Sequence, residues 1–319
     1  MKRSSFSVIM SNYNHGHFLP TSIGSLLKQT RQPDEIIIVD DGSTDNSVEI
    51  LERFAKENPV IRLIRNEKNI GTVPSGENAL RQTSGDYVFL AAADDSWMPE
   101  LFEKSMALIE KYPMAAFCCS DSRTVFAHSG KGVPSKRRLS AEAGYLSPEE
   151  LIRIMRRKIV YLSGFGAIIK KSALNETGLL PELRWSSDRI CSQTLALRYG
   201  ICYIPEVLSV QLLRRESYGA AGLKNWKLHK DVIARALDLL RTQGYQDVLP
   251  KFKKSCCLAS FNFPLLRVIA ANKKYRDYLS FRLVWLVLAG EVREAVAARV
   301  PGFMKKIYWA AKERFGSGL

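Results

Sequence analysis

Between Phe6 and Ala93 the chain alternates strictly between strand-length apolar runs and segments of helical spacing, and this restricts the possible folds more than any other feature. Phe6-Ser-Val-Ile-Met10, Glu35-Ile-Ile-Ile-Val-Asp40, Val60-Ile-Arg-Leu-Ile64 and Tyr87-Val-Phe-Leu-Ala-Ala-Ala93 are the strands. Leu19 to Gln29, Ser47 to Asn58 and Glu77 to Thr83 are the helices between them, and Asn66 to Gly76, rich in Asn, Gly and Pro, is a loop. Strands that take turns with helices pair in parallel, so the expected class is α/β with a mainly parallel, doubly wound sheet.

Two of these strands end in adjacent carboxylates, Asp40-Asp41 and Asp94-Asp95. Val88 to Ala93 carry no polar side chain, which suits a strand covered on both faces, and the run then stops at two charges. In open α/β sheets ligands sit beyond the carboxyl ends of strands. Two carboxylates there repel each other unless a cation lies between them and the ligand, so a divalent ion carrying phosphate oxygens is the natural third partner. The alternative is an Asp-Asp-Ser helix cap ahead of Trp97-Met-Pro-Glu100.

Further along, Pro99 to Tyr112 reads as a helix and Ala115 to Cys119 as a strand. Ser129 to Gly144, with Lys131, Lys136, Arg137 and Arg138, has too little apolar content for core and reads as a loop. Ser147-Pro-Glu-Glu150 opens a helix with a capping-box pattern, and Gly164 to Ile169 is strand-like. Trp185-Ser-Ser-Asp188 heads a helix running to Tyr199, before strand material at Ile201 to Ile204 and Val207 to Leu213.

The six cysteines show no C-x-x-C pair and no histidine at ligand spacing, which excludes a zinc ribbon and a disulfide framework. Met1 to Met10 holds no apolar region of signal-peptide length, so the chain is expected to stay in the cytoplasm. Of the net charge of +15, the stretch from Lys224 to Leu319 carries +12, with 19 Lys and Arg against 7 Asp and Glu. Helical spacing recurs there at Asn225 to Arg241, Phe261 to Ala271, Tyr278 to Leu288 and Phe303 to Phe315. Arg282 to Gly290 is too short to span a bilayer, whereas Lys and Arg interleaved with aromatics over 278–315 suit an anionic membrane surface. The other reading is a helical subdomain packed on the core or on a second copy of the chain. Nucleic acid is excluded as a partner, since no helix-turn-helix, finger or RNP pattern accompanies the charge.

Five stretches together resemble the family 2 inverting glycosyltransferases, which have the GT-A nucleotide-diphospho-sugar transferase fold. They are Val8-Ile-Met-Ser-Asn-Tyr-Asn14, Ser25-Leu-Leu-Lys-Gln-Thr30, Ile36-Ile-Ile-Val-Asp-Asp-Gly-Ser-Thr-Asp45, Asn69-Ile-Gly71 with Glu77-Asn-Ala79, and Gly85-Asp-Tyr-Val-Phe-Leu90 running into Asp94-Asp95. The resemblance implies a GT-A domain over 1–223, with a nucleotide-binding half (1–100) and an acceptor half (101–223), followed by a helical basic region (224–319). It implies that Ser11 and Tyr13 lie along the nucleobase, with the Tyr13 ring as a stacking face, and that Asp40 and Asp41 accept from the N3–H of a uracil-type base. Asp94 then reaches ribose or metal, Asp95 holds Mg²⁺ or Mn²⁺ against the diphosphate, and Asn78 supports the site from the helix behind.

In the acceptor half, the resemblance makes Asp188 the base that deprotonates the acceptor hydroxyl, with Trp185 on the loop before it. Arg214 and Arg215 contact diphosphate or acceptor, or form a solvated basic loop. Three departures matter: Ala92 stands where the family often has an acid, Ser187 stands before Asp188 where it has Glu, and Arg215 replaces the Trp of processive synthases. The expected activity is a metal-dependent, inverting, non-processive transfer from a nucleotide-diphospho-sugar, of UDP type, to a glycan or lipid-linked acceptor in bacterial surface polysaccharide assembly. That acceptor places the chain at the inner face of the cell membrane as a peripheral protein. Two alternatives are a sugar-phosphate nucleotidyltransferase and a nucleotide-sugar-binding membrane scaffold without transfer activity.

Overall fold

In the computed structural model the four apolar runs lie side by side as parallel strands. The structure describes residues 3–135, 137–164, 166–214 and 217–299, so Arg215 and the 303–315 stretch lie outside it. In chain order the first half is β1 (Phe6–Asn12), α1 (Leu19–Leu27), β2 (Glu35–Asp40), α2 (Ser47–Glu57), β3 (Ile61–Arg65), α3 (Thr72–Arg81) and β4 (Tyr87–Ala92). These strands stand in the order β3-β2-β1-β4, with Val8 opposite both Ile36 and Phe89. The order reverses at β1, so a crevice opens beyond the carboxyl ends of β1 and β4.

Both faces of this sheet are covered, which is why the strands read as nearly unbroken apolar runs. Successive side chains point to opposite faces. Val8, Met10, Ile36 and Ile38 join one core with α1 and Phe102, whereas Ile9, Ile37 and Val39 join the other.

The second half extends the sheet with mixed strand directions. It runs β5 (Ser96–Trp97), α4 (Leu101–Lys111), β6 (Phe117–Phe126), β7 (Gly132–Ser135), β8 (Gly144–Leu146), α5 (Pro148–Met155), β9 (Ala167–Lys170), α6 (Lys171–Thr177), a 3₁₀ turn (Pro181–Ser186), α7 (Ser187–Tyr199) and β10 (Ile201–Leu213). β9 sits antiparallel between β4 and β6, β10 runs parallel to β6, and β5 closes the edge antiparallel to β10. The capping box is present: Ser147 Oγ accepts from Glu150 N–H, and Glu150 Oε2 accepts from Ser147 N–H.

Three sequence expectations change. Helix α3 starts at Thr72, inside the expected Asn66–Gly76 loop, because Pro74 falls in its first turn, where no intrahelical N–H bond is required. The expected 129–144 loop contains β7, which pairs with β6, while Gly144 itself opens β8 on β10. Backbone pairing with a neighbour, rather than an apolar pattern, makes these edge strands. The two expected strands of 201–213 are one, with register shifts around Pro205 and Glu206 absorbing the break.

The C-terminal helices are α8 (Tyr218–Lys224), α9 (Trp226–Leu239), α10 (Leu249–Ser255), α11 (Phe263–Ala271) and α12 (Phe281–Arg299). They do not stand apart from the sheet. Ile233, Leu237, Phe252 and Phe261 belong to the same buried cluster as Leu151 and Met155 of α5 and Ile190 of α7. Among the described residues, no helix is long and apolar enough to cross a membrane.

Candidate active site

The loop beyond β2 separates two adjacent carboxylates. Asp40 turns inward: its Oδ2 accepts from Asn12 Nδ2 at 2.8 Å and Ser43 Oγ at 2.6 Å, and its Oδ1 from Ser43 N–H at 2.9 Å. Asp41 turns toward the crevice, held by Asn66 Nδ2 and Ile70 N–H on Oδ1 and by Gly71 N–H on Oδ2, at 2.8–2.9 Å. Gly42 makes the turn possible, because it has φ +72° and a Cβ there would lie 2.8 Å from the Lys68 backbone.

The tip of β4 is held from α1. Ser22 Oγ donates to Ala92 O, Ser25 Oγ accepts from Trp97 N–H, and Gln29 bridges Met98 O and Phe102 N–H. These polar residues account for the Ser25 to Thr30 stretch singled out in the sequence. At the tip, Asp94 Oδ2 accepts from Arg214 Nε at 3.2 Å and Nη2 at 2.8 Å. Arg214 Nη2 also lies 2.7 Å from His15 Nε2, and its guanidinium covers the Phe18 ring at 5.0 Å. An arginine can only donate, so His15 Nε2 accepts and Nδ1 carries the proton, buried and without a hydrogen-bond partner among the described residues. Burial holds the His15 pKa below its usual value, with the Arg214 charge acting in the same direction and Asp94 against it. Asp95 points away from the crevice, 5% exposed, with Oδ1 accepting from Leu212 N–H at 2.8 Å. Burial, reinforced by the Asp94 charge, pushes its pKa up to about 8.

Above these strand ends lies a cleft of about 600 Å³. Ser11, Tyr13, Asp41, Gly71 and Thr72 line one end, His15 and Arg214 stand in its wall, and Glu182, Arg184, Tyr218, Asp231 and Arg235 line the other end. Tyr13 is 41% exposed, so its ring is free to take a planar partner. Ser11 Oγ donates to Thr72 O, tying β1 to the start of α3. An exposed aromatic face, the Asp41 carboxylate and the Arg214 guanidinium in one cleft suit an anionic ligand with a planar base.

Comparison with known proteins agrees. The profile described as Glycosyl transferase family 2 matches residues 7–178. The chain belongs to that family. It is 37% identical over 294 residues to the glycosyltransferase GlyG of Streptococcus pneumoniae, covering 86% of this chain and 89% of GlyG. The S. aureus TarS 1–349 structure in complex with UDP-GlcNAc superposes with TM-score 0.66 at 19% identity, over 89% of this chain and 84% of TarS. The mannosyltransferase PcManGT from Pyrobaculum calidifontis, in complex with GDP-Man and Mn²⁺, gives TM-score 0.59 at 17% identity, over 99% and 89%. These two likenesses carry the fold, which is GT-A. Family membership selects the glycosyltransferase among the three readings of the sequence.

The transferase places its other expected residues unevenly. Asn78 does not line the cleft; its Oδ1 accepts from Gln82 one turn on, and Asn66 supports Asp41 instead. Trp185 lies behind the cleft wall rather than in it. The backbone of Gly222 on α8 presses on its ring, where a Cβ would come within 2.3 Å, and Tyr218 and His229 meet it at 5.9 and 6.3 Å. Asp188 stands in the first turn of α7, outside the cleft lining and half-buried. It accepts from Gly164 N–H, and Gly164 in turn faces Leu90 of β4. Burial raises the Asp188 pKa, and the Arg189 charge opposes the rise.

The sequence reading passed over His15, Asn66, Glu182, Arg184, Tyr218, Asp231 and Arg235. Asp231 and Arg235, an i,i+4 ion pair of 2.8 Å on α9, were legible as a helix pair, but nothing in their spacing placed them at a cleft. Arg184 has φ +50°, a left-handed conformation that costs an L-residue energy and turns it out of the 3₁₀ turn at the cleft wall.

Among the described residues, no cluster of three or more His, Cys, Asp or Glu gathers to hold a metal. Mg²⁺ and Mn²⁺ at phosphate sites need only one or two carboxylates, the phosphates supplying the rest. Asp94 fits this, since Arg214 engages only its Oδ2. Asp95, the residue expected as principal ligand, is buried and bonded to Leu212.

Proposed function

We propose that this family 2 glycosyltransferase transfers a sugar, with inversion and one unit at a time, from a nucleotide-diphospho-sugar of UDP type to a hydroxyl of a glycan or lipid-linked acceptor. The observation that carries this reading is the cleft itself, with Tyr13 and Asp41 at one end and Arg214 backed by Asp94 in its wall. The base stacks on Tyr13 and offers its N3–H to Asp41, with Ser11 beside it. Arg214 meets the diphosphate, whose charge grows as it leaves. Asp94 would hold Mg²⁺ or Mn²⁺ together with the phosphate oxygens, and the ion would supply positive charge to the leaving group. The PcManGT complex with GDP-Man and Mn²⁺ supports both the donor class and the ion.

Asp188 takes the proton of the acceptor hydroxyl as that oxygen bonds to the anomeric carbon. The bond from that carbon to the diphosphate oxygen breaks on the opposite face, its electron pair leaving with the nucleotide. Bacterial surface polysaccharide assembly at the inner membrane face is the setting we assign. Phe281, Trp285, Leu288 and Val292, all exposed at helical spacing on α12, support a peripheral seat on an anionic membrane.

The test is nucleotide release from a panel of UDP- and GDP-sugars with an oligosaccharide acceptor, before and after EDTA and with Mn²⁺ restored. Turnover specific to a UDP-sugar, lost with the chelator and recovered with the ion, is the expected result. Turnover indifferent to EDTA would remove the ion from the reading.

A further inference from the structure

The helical region after 223 grips the residue next to Asp188. Arg189, half-buried in the first turn of α7, donates Nη1–H to the carbonyl of Ser260 at 3.0 Å, and its guanidinium lies 4.9 Å from the Phe261 ring centre and 5.9 Å from that of Tyr161. Ser260 and Phe261 belong to a buried 3₁₀ turn (Cys257–Phe261), whose Cys257 carbonyl and Ser260 Oγ both accept from Gln193 of α7. Tyr161 is fixed in turn by its hydroxyl's hydrogen bonds with Asn262.

This arrangement is unusual for an arginine. Among the described residues its guanidinium has one hydrogen bond, to a backbone carbonyl, and two aromatic rings within 6 Å, and the charge that faces it is that of Asp188.

We propose that Arg189 is a positioning residue, clamped by the 257–261 turn of the C-terminal region so that a fixed positive charge stands beside the Asp188 carboxylate. This rests on the reading of Asp188 as the base. A base must be ionised to take a proton, and burial alone favours its neutral form. Among the described residues, the titratable groups that face this pair are Tyr161 and His229 toward Arg189 and Cys191 toward Asp188, and burial lowers the pKa of His229, with Arg189 adding to the effect. Among the described residues, Arg189 is therefore the fixed positive charge that acts on the carboxylate. The C-terminal helices, on this view, belong to the catalytic apparatus.

The experiment is the pH profile of kcat for wild type, Arg189→Gln, Arg189→Met and Arg189→Lys, with Asp188→Asn in parallel and folding checked by circular dichroism. Arg189→Gln keeps a donor for Ser260 and loses only the charge. Its acid limb, and that of Arg189→Met, should move up by about one pH unit, roughly a tenfold loss of kcat below the limb, with donor KM unchanged. Arg189→Lys should keep the wild-type limb. A limb that stays in place in whichever neutral variant folds, while Asp188→Asn is inactive, overturns the clamp. So does a failure of both neutral variants to fold while Arg189→Lys is as active as wild type with a displaced limb. An active Asp188→Asn overturns instead the assignment of the base.

Discussion

Asp40-Asp41 and Asp94-Asp95 look alike in the sequence, two acidic pairs beyond the parallel strands that flank β1, yet the structure orients them in opposite order. In the first pair the second residue lines the cleft and the first is turned inward; in the second pair the first residue is bonded to Arg214 of the cleft wall and the second is turned inward. Both pairs lie where a strand gives way to a turn, and the hydrogen bonds each carboxylate accepts send its two members in different directions. The inward residues also differ. Asp40, the buried last residue of β2, accepts three hydrogen bonds, whereas Asp95 accepts one and burial pushes its pKa up to about 8.

This comparison can be broken most directly at Asp94. Asp94→Ala removes the partner of Arg214 and should lower nucleotide-release turnover by roughly 100-fold or more, as loss of a preorganised electrostatic group does. Asp41→Ala should act on binding instead, raising donor KM by about tenfold for one lost hydrogen bond to a buried group, with a smaller change in kcat. Titration calorimetry with the bare nucleotide would register the same loss. Asp40→Ala should leave KM near wild type and cost about 1–3 kcal/mol in chemical denaturation, because Asn12 and Ser43 lose their acceptor. A donor KM that rises for Asp40→Ala and not for Asp41→Ala would invert the division.

The smallest effect concerns Asp95 and appears only against pH. Its folded pKa, about 8, lies above the unfolded carboxylate value, so the folded state holds this proton more tightly. The stabilisation is complete below pH ~4 and is lost as pH rises through ~8. Thermal midpoints should therefore fall between pH 6 and pH 9 in the wild type, and Asp95→Asn, which imitates the protonated carboxyl, should flatten that fall.

Legibility followed the range of the interactions involved. The Ser147 cap is made within three residues, and the strands of the first half carry their burial in their own apolar runs, so both were readable. The start of α3 was hidden by Pro74 and Gly76, which read as loop formers unless the helix start is already known. β7 has no apolar pattern and exists because β6 offers it a backbone ladder. Asp231 and Arg235 reach the cleft because the C-terminal helices share a core with α5 and α7, a long-range packing that the local spacing of the basic tail does not announce.

What the sequence by itself determined is therefore the alternating strands and helices of the first half, the sheet's parallel pairing there and the family, because periodicity, turn residues and short motifs are local. What only the tertiary structure decided is which carboxylate of each pair is turned toward the cleft and which is taken inward. Asp41 is aimed by N–H groups 29 and 30 residues further on, and Asp95 is taken from the cleft by Leu212 N–H, 117 residues away. Those hydrogen bonds exist only once the distant strand ends have been brought together by burial of the two cores.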